Sequence, residues 1–270
     1  MTTRATSPNP ESNRPALSIA LLECDHVDPE IRDIAGDYGD MFVRMFHRHT
    51  PEIDITRIDV INGVTWPDLG AHDGILITGS RHSTGDDLPW IHELARHLRD
   101  AHARQFPVAG ICFGHQLIAQ ALGGRVQRAE VGWGVGVHTA TVTTRRDWMD
   151  PPVDGFRILV NHQDQVVDVP PDGVVVATSD HAPVAAFEAG SLLGFQGHPE
   201  FDAAYADALM TRRRDRIGDE TLQRARATLD EPTDQETVAH WIGQFFRAWQ
   251  PGRPHQARPG SDAGSASSVR

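Results

Sequence analysis

Cys112 lies in the run Val108-Ala-Gly-Ile-Cys-Phe-Gly-His-Gln116, where a short apolar strand passes through a glycine-flanked cysteine into a helix-like segment. A free cysteine in an apolar stretch is most often a small core residue. Here the flanks argue for a nucleophile. Glycines at 110 and 114 leave room for the cramped strand-to-helix turn that pushes a side chain out at the sheet edge. The segment Phe113 to Ala121 then points a helix N-terminus at the sulfur, where unpaired amides favour thiolate over thiol.

A thiol nucleophile needs a base and a group that orients it. Of the 15 histidines, His47, His49, His92, His97 and His102 stand in polar or helical contexts that suit solvated side chains. His198 differs, because Leu192-Leu-Gly-Phe-Gln-Gly-His-Pro-Glu-Phe201 reads as a second apolar strand with His198 and Glu200 at its tip. Two residues apart across a proline, the carboxylate can hold one imidazole nitrogen while the other faces the sulfur. Both motifs sit at strand C-terminal ends, where open sheets place ligands.

The pattern Gly-x-Cys-x-Gly-x-Gln, followed by His-Pro-Glu in the order Cys, His, Glu, resembles the class I (triad-type) glutamine amidotransferases over roughly Ala16 to Trp249. Asp37-Tyr-Gly-Asp-Met-Phe42 and the elbow itself look like the stand-alone branch that includes γ-glutamyl peptidases. The resemblance implies a catalytic triad of Cys112, His198 and Glu200, with the backbone amides of Gly79 and Phe113 as the oxyanion hole. Many relatives have a Gly-Gly-Pro-like turn where this chain reads Thr78-Gly79-Ser80-Arg81, so Gly79 alone carries over. It also implies a substrate wall of Asn161, His162, Gln163 and Asp164 with Gln116 opposite; Gln163 stands where relatives often have glycine. Trp133, between glycines, is a weaker pocket candidate, since it could equally pack on the sheet.

The activity so implied is cysteine-dependent hydrolysis of the γ-amide of glutamine, or of a γ-glutamyl compound, through a thioester. Two alternatives stand beside it: a glutaminase subunit passing ammonia to a separate synthase, and a non-catalytic binding or regulatory module on the same fold.

The elements that must hold these residues alternate along the chain. Ala16–Leu22, Ile53–Val60, the strand ending at Gly79 and the cysteine strand read as strands. They are separated by a helix over Asp40–His47 and another opened by Pro89 with Ile91, Leu94, Ala95 and Leu98 on one face. That rhythm predicts an α/β fold: an open, mostly parallel sheet with helices on both faces, of the flavodoxin-like kind in class I amidotransferases. Past Gly123, short segments at 125–128, 135–143, 156–160, 174–178 and 183–188 predict a small antiparallel β excursion before the strand at 192–196. Thr233-Asp-Gln-Glu236 reads as a capping box for a last helix with Val238, Trp241, Ile242, Phe245 and Trp249 as its apolar stripe.

The 270 residues read as one domain, 16–249, between a polar N-terminal tail, 1–15, and a Gly/Ser/Pro-rich C-terminal tail, 250–270, both expected to be disordered. A net charge of -12 argues against nucleic acid or anionic lipid as a partner. Arg212-Arg-Arg214 reads as a solvated helix-end cluster. With two cysteines, no secretory h-region and no run approaching the ~20 apolar residues of a membrane span, a cytoplasmic location without membrane attachment is expected. Neither a phosphate-binding Gly-Lys-Thr loop nor zinc-ligand spacing is seen, so no cofactor or metal is implied.

Overall fold

A computed structural model describes residues 16–62 and 66–250. The two tails, apart from Gln250, lie outside the described residues. Gln250 donates to the Asp73 and Phe246 carbonyls.

In chain order the elements are β1 (Leu17–Glu23), α1 (Arg32–Ala35), α2 (Tyr38–His49), β2 (Ile53–Asp59), β3 (Gly74–Ile77), α3 (Pro89–Ala103), β4 (Val108–Ile111) and α4 (Phe113–Ala121). Then follow β5 (Arg125–Arg128), β6 (Gly134–Val142), β7 (Gly155–His162), β8 (Asp164–Asp168), β9 (Gly173–Ser179), β10 (Ala186–Ala189) and β11 (Leu192–Phe195). The chain closes with α5 (Ala203–Arg212), α6 (Arg214–Ile217), α7 (Asp219–Arg226) and α8 (Gln235–Ala248).

The sheet has the order β2-β1-β3-β4-β11-β10-β9-β6-β7. β2, β1, β3, β4 and β11 run parallel, and β10, β9, β6 and β7 extend the same sheet as an antiparallel wing. The excursion therefore belongs to the main sheet, apart from the small β5–β8 ribbon.

Period-2 alternation sorts the strand side chains between the faces. Ile19 and Leu21 pack with Phe42 and Phe46 of α2 and Ile242 and Phe245 of α8, whereas Ala20 and Leu22 pack with Ile91 and Leu94 of α3 and Leu117 and Ile118 of α4. Helices thus cover both faces of the parallel half. Among the described residues no helix is long and apolar enough to cross a membrane.

Two local signals resolve differently from the sequence reading. Helix α2 starts earlier than Asp40, because Asp37 and Asp40 form a reciprocal capping box. The predicted box at Thr233 does not form. Asp234 precedes α8 and spends its carboxylate on the edge of β7: Arg157 N–H donates to Asp234 Oδ2 at 2.6 Å, and Asp234 N–H donates to the Arg157 carbonyl at 2.8 Å. An unpaired strand edge outcompetes the helix end for this side chain.

The wing curls back on itself. Although β7 is four strands from β11 in the order, His198, just past β11, donates its N–H to the Leu159 carbonyl of β7 at 2.7 Å. This closure brings the end of β7 to the tip of β11.

Candidate active site

Cys112 joins β4 to α4 with φ 51° and ψ -96°, a left-handed conformation that is strained for any residue with a side chain. Its amide is pinned to the Phe195 carbonyl at 2.8 Å, and its own carbonyl accepts from Gln116 N–H at 3.0 Å. The turn closes only because the flanking residues lack side chains: a Cβ on Gly110 would stand 2.4 Å from the Gly114 carbonyl carbon, and one on Gly114 2.7 Å from the Ile77 oxygen. The expected elbow is present.

β11 delivers His198 beside it. His198 Nδ1 lies 2.7 Å from Glu200 Oε1, and both side chains are buried. The Phe201 ring stacks on the imidazole at 4.0 Å and 6°, fixing its plane. Gln235 of α8 donates to the Pro199 carbonyl and ties down the same loop. Burial opposes the imidazolium, but the Glu200 carboxylate and the Cys112 sulfur, which also hydrogen-bonds the ring, raise the His198 pKa to about 10.

The third parallel strand, β3, supplies the Gly79 turn. The position a Gly79 Cβ would take is 2.9 Å from His198 Cε1 and 3.7 Å from Cys112 Cβ, so its backbone abuts both groups. The Thr78 hydroxyl accepts from Cys24 N–H and donates to the Gly79 carbonyl, each at 2.9 Å. Beyond it, Asp25 accepts from both the backbone N–H and the Nε of Arg81 at 2.8 Å. Phe113 opens α4, where the first amides have no intrahelical acceptor.

A cleft of about 220 Å³ opens over the sulfur and is lined by Cys112, Gln116, Trp133 and all four residues 161–164. Asn161 and His162 end β7, and Asp164 begins β8. Their side chains are partly committed. Gln116 Nε2 donates to the Asp164 carbonyl at 2.7 Å and to Gln196 Oε1 at 3.2 Å, so both contacts use its amide nitrogen. His162 Nδ1 donates to the Asp164 carbonyl at 3.1 Å, and burial pushes its pKa well below the usual value, so the ring is neutral. Gln163 accepts from Ala129 N–H through its carbonyl, and the Asp164 carboxylate stands 3.9 Å from Arg128.

Two residues at the site escape a reading of the sequence. Gln196 Nε2 is 3.6 Å from Cys112 Sγ, a donor aimed at the sulfur, and its place two residues before His198 was the available signal. Arg213 belongs to the cluster read as solvated, yet it turns inward and donates to Asn161 Oδ1 at 2.6 Å; Arg212 and Arg214 do face solvent, paired with Asp28, Glu30 and Asp219. No signal short of the tertiary fold separates the three.

The two cysteines differ in their surroundings. Both are free; Cys24 is fully buried, and burial with Asp25 close by pushes its thiol far up.

The family model for glutamine amidotransferase class-I matches residues 31–214, a span that contains Gly79, Cys112, His198 and Glu200. The chain is 30% identical over 237 residues to gamma-glutamyl peptidase 2 of Arabidopsis thaliana, covering 84% of this chain and 94% of that one. It is 32% identical over 174 residues to a glutamine-hydrolyzing GMP synthase subunit of Halobacterium salinarum, covering 62% and 87% respectively. In fold it matches a glutamine amidotransferase from Thermotoga maritima with TM-score 0.67 at 19% identity, covering 87% of this chain and 98% of that one. The chain belongs to the class I glutamine amidotransferase family and is an amidotransferase-like enzyme.

Proposed function

We propose that the protein hydrolyses a γ-glutamyl amide through a Cys112 thioester, with His198 as acid and base and Glu200 as its orienter. The observation that carries this reading is the Glu200-held imidazole beside a cysteine on a strained strand-to-helix turn. The sulfur attacks the γ-carbonyl carbon, and the carbonyl oxygen takes the negative charge. The amides of Gly79 and Phe113 are the donors for that oxygen; losing one such donor costs on the order of a hundredfold in rate. His198 gives its proton to the departing nitrogen as the C–N bond breaks, leaving the thioester. A water that loses a proton to His198 then attacks the thioester carbon, and glutamate leaves as the sulfur is restored. Gln196 Nε2 stabilises the sulfur when it carries charge.

The similarity to gamma-glutamyl peptidase 2 over nearly its whole length favours a stand-alone hydrolase of γ-glutamyl compounds. A second reading, a glutaminase that passes ammonia to a separate synthase, draws on the similarity to the GMP synthase subunit. Hydrolysis of glutamine and γ-glutamyl dipeptides by the protein alone, with wild type and Cys112→Ala, separates them. A stand-alone hydrolase cleaves the dipeptides unaided and loses all turnover with Cys112. Full activity of the Cys112→Ala protein refutes the mechanism; dipeptides left intact while glutamine is cleaved slowly favour the synthase reading.

A further inference from the structure

The charge of the cleft lining runs against the net charge of the chain. The chain is strongly acidic at -12, yet four arginines line this cleft against two aspartates: Arg81, Arg128, Arg213 and Arg216 with Asp86 and Asp164. Arg81 is neutralised by Asp25 at 2.8 Å, and Arg128 stands near Asp164. Arg213 and Arg216 have no carboxylate within ion-pair distance among the described residues, although Arg212 and Arg214 beside them do.

Both unpaired guanidiniums lie over the Trp133 ring, at 5.8 Å and 5.1 Å from its centroid. Stacking on an aromatic face fixes the guanidinium plane while leaving its in-plane N–H groups free. Arg213 is placed further by its backbone, where α5 ends and α6 begins, and by its bond to Asn161 Oδ1. That bond sets the Asn161 amide: the oxygen faces Arg213, and Nδ2 is a buried donor without a partner. Asn161 is only 5% exposed, so the unused donor is a built feature of the cleft wall.

We propose that Arg213, Arg216 and Asn161 Nδ2, set against Trp133, form a subsite for a carboxylate on the amine portion of the substrate, the part that departs when the γ-glutamyl bond is cut. This rests on the proposed γ-glutamyl hydrolysis and narrows it. Two unpaired guanidiniums suit a carboxylate that has no cationic nitrogen close by. The glutamyl end of a substrate carries its ammonium on the same carbon as its carboxylate, so like-charge repulsion penalises it here. The amine portion of a γ-glutamyl amino acid has its nitrogen acylated and keeps only the carboxylate. The subsite therefore selects γ-glutamyl amino acids and peptides with a free C-terminal carboxylate over glutamine, whose departing group is ammonia.

The test compares kcat/KM for γ-glutamylglycine, γ-glutamylglycinamide and γ-glutamylglycine amidated at the glutamyl α-carboxyl, using wild type, Arg216→Gln and Arg216→Glu. Arg216 is exposed, so these variants are expected to fold, which thermal unfolding checks. Wild type should favour γ-glutamylglycine over its glycinamide counterpart by about tenfold, the scale of a charge-assisted contact in a partly open site. Arg216→Gln should bring that ratio toward one, and Arg216→Glu should invert it. A flat ratio in wild type, or one unmoved in both variants, overturns the subsite while leaving γ-glutamyl hydrolysis standing. Variants that instead lose discrimination against the α-amidated compound assign the arginines to the glutamyl end and also overturn it. No hydrolysis of any γ-glutamyl compound by wild type removes both proposals together.

Discussion

Replacing Glu200 by glutamine keeps the shape of the side chain and removes its charge, and the surroundings make the consequence calculable. The carboxylate is fully buried and contacts His198 Nδ1 at 2.7 Å, while burial alone would disfavour an imidazolium. Raising the imidazole pKa from 6.5 to about 10 corresponds to about 5 kcal/mol between its protonation states. Cys112 supplies part of that, so we assign about 2 to 3 kcal/mol to Glu200, as an order of magnitude. Because the folded-state pKa is raised, this stabilisation is fully present below pH 6.5 and is lost as pH climbs toward 10. Urea unfolding of wild type and Glu200→Gln should therefore show a stability gap that is widest near pH 6 and narrows by about 2 kcal/mol toward pH 9.5. Turnover should fall by about a hundredfold or more at neutral pH, since the imidazole loses the group that sets its tautomer. A gap that is constant or widens with pH refutes the electrostatic account of the pair, whatever happens to the rate.

Three further outcomes follow from packing around the elbow. Gly114→Ala puts a methyl group 2.7 Å from the Ile77 oxygen and should cost about 2 kcal/mol or more in stability together with most of the activity, measured by urea unfolding and γ-glutamyl hydrolysis. Asp25→Asn loosens Arg81 and, through the same loop, the Gly79 turn; it should lower kcat more than it changes KM, and an unchanged kcat would separate Asp25 from the proposed oxyanion donor at Gly79. Iodoacetamide should label Cys112 in the folded protein and reach Cys24 only after unfolding, because burial holds the Cys24 thiol protonated; mass spectrometry of the native protein showing equal labelling would contradict this.

The parts of the site that were legible in the sequence are those specified locally. Glycines at 110 and 114 and the strand-to-helix change around Cys112 are encoded within nine residues, and the spacing of His198 and Glu200 within three. What the sequence did not disclose depends on long-range closure. Arg213 meets Asn161 only because the antiparallel wing curls until β7 reaches the tip of β11, and no local pattern records that curl. α1, of four residues, is too short to carry a periodic signal. At Thr233 the helix instead starts behind Asp234, whose carboxylate meets a competing demand, the open backbone of β7.

That competing demand has a consequence for solubility. β7 runs Gly-Phe-Arg-Ile-Leu-Val-Asn-His, apolar enough to recruit a strand from another molecule if its outer edge were bare. Along that edge Arg157 is occupied by Asp234 and Leu159 by His198, while the opposite edge of the sheet, β2, carries Asp54, Arg57 and Asp59. One edge is guarded by charge, the other by the loop that bears the proposed base. Loosening the His-Pro-Glu loop would thus expose a template for strand addition, so lesions there should reveal themselves as aggregation as well as lost turnover.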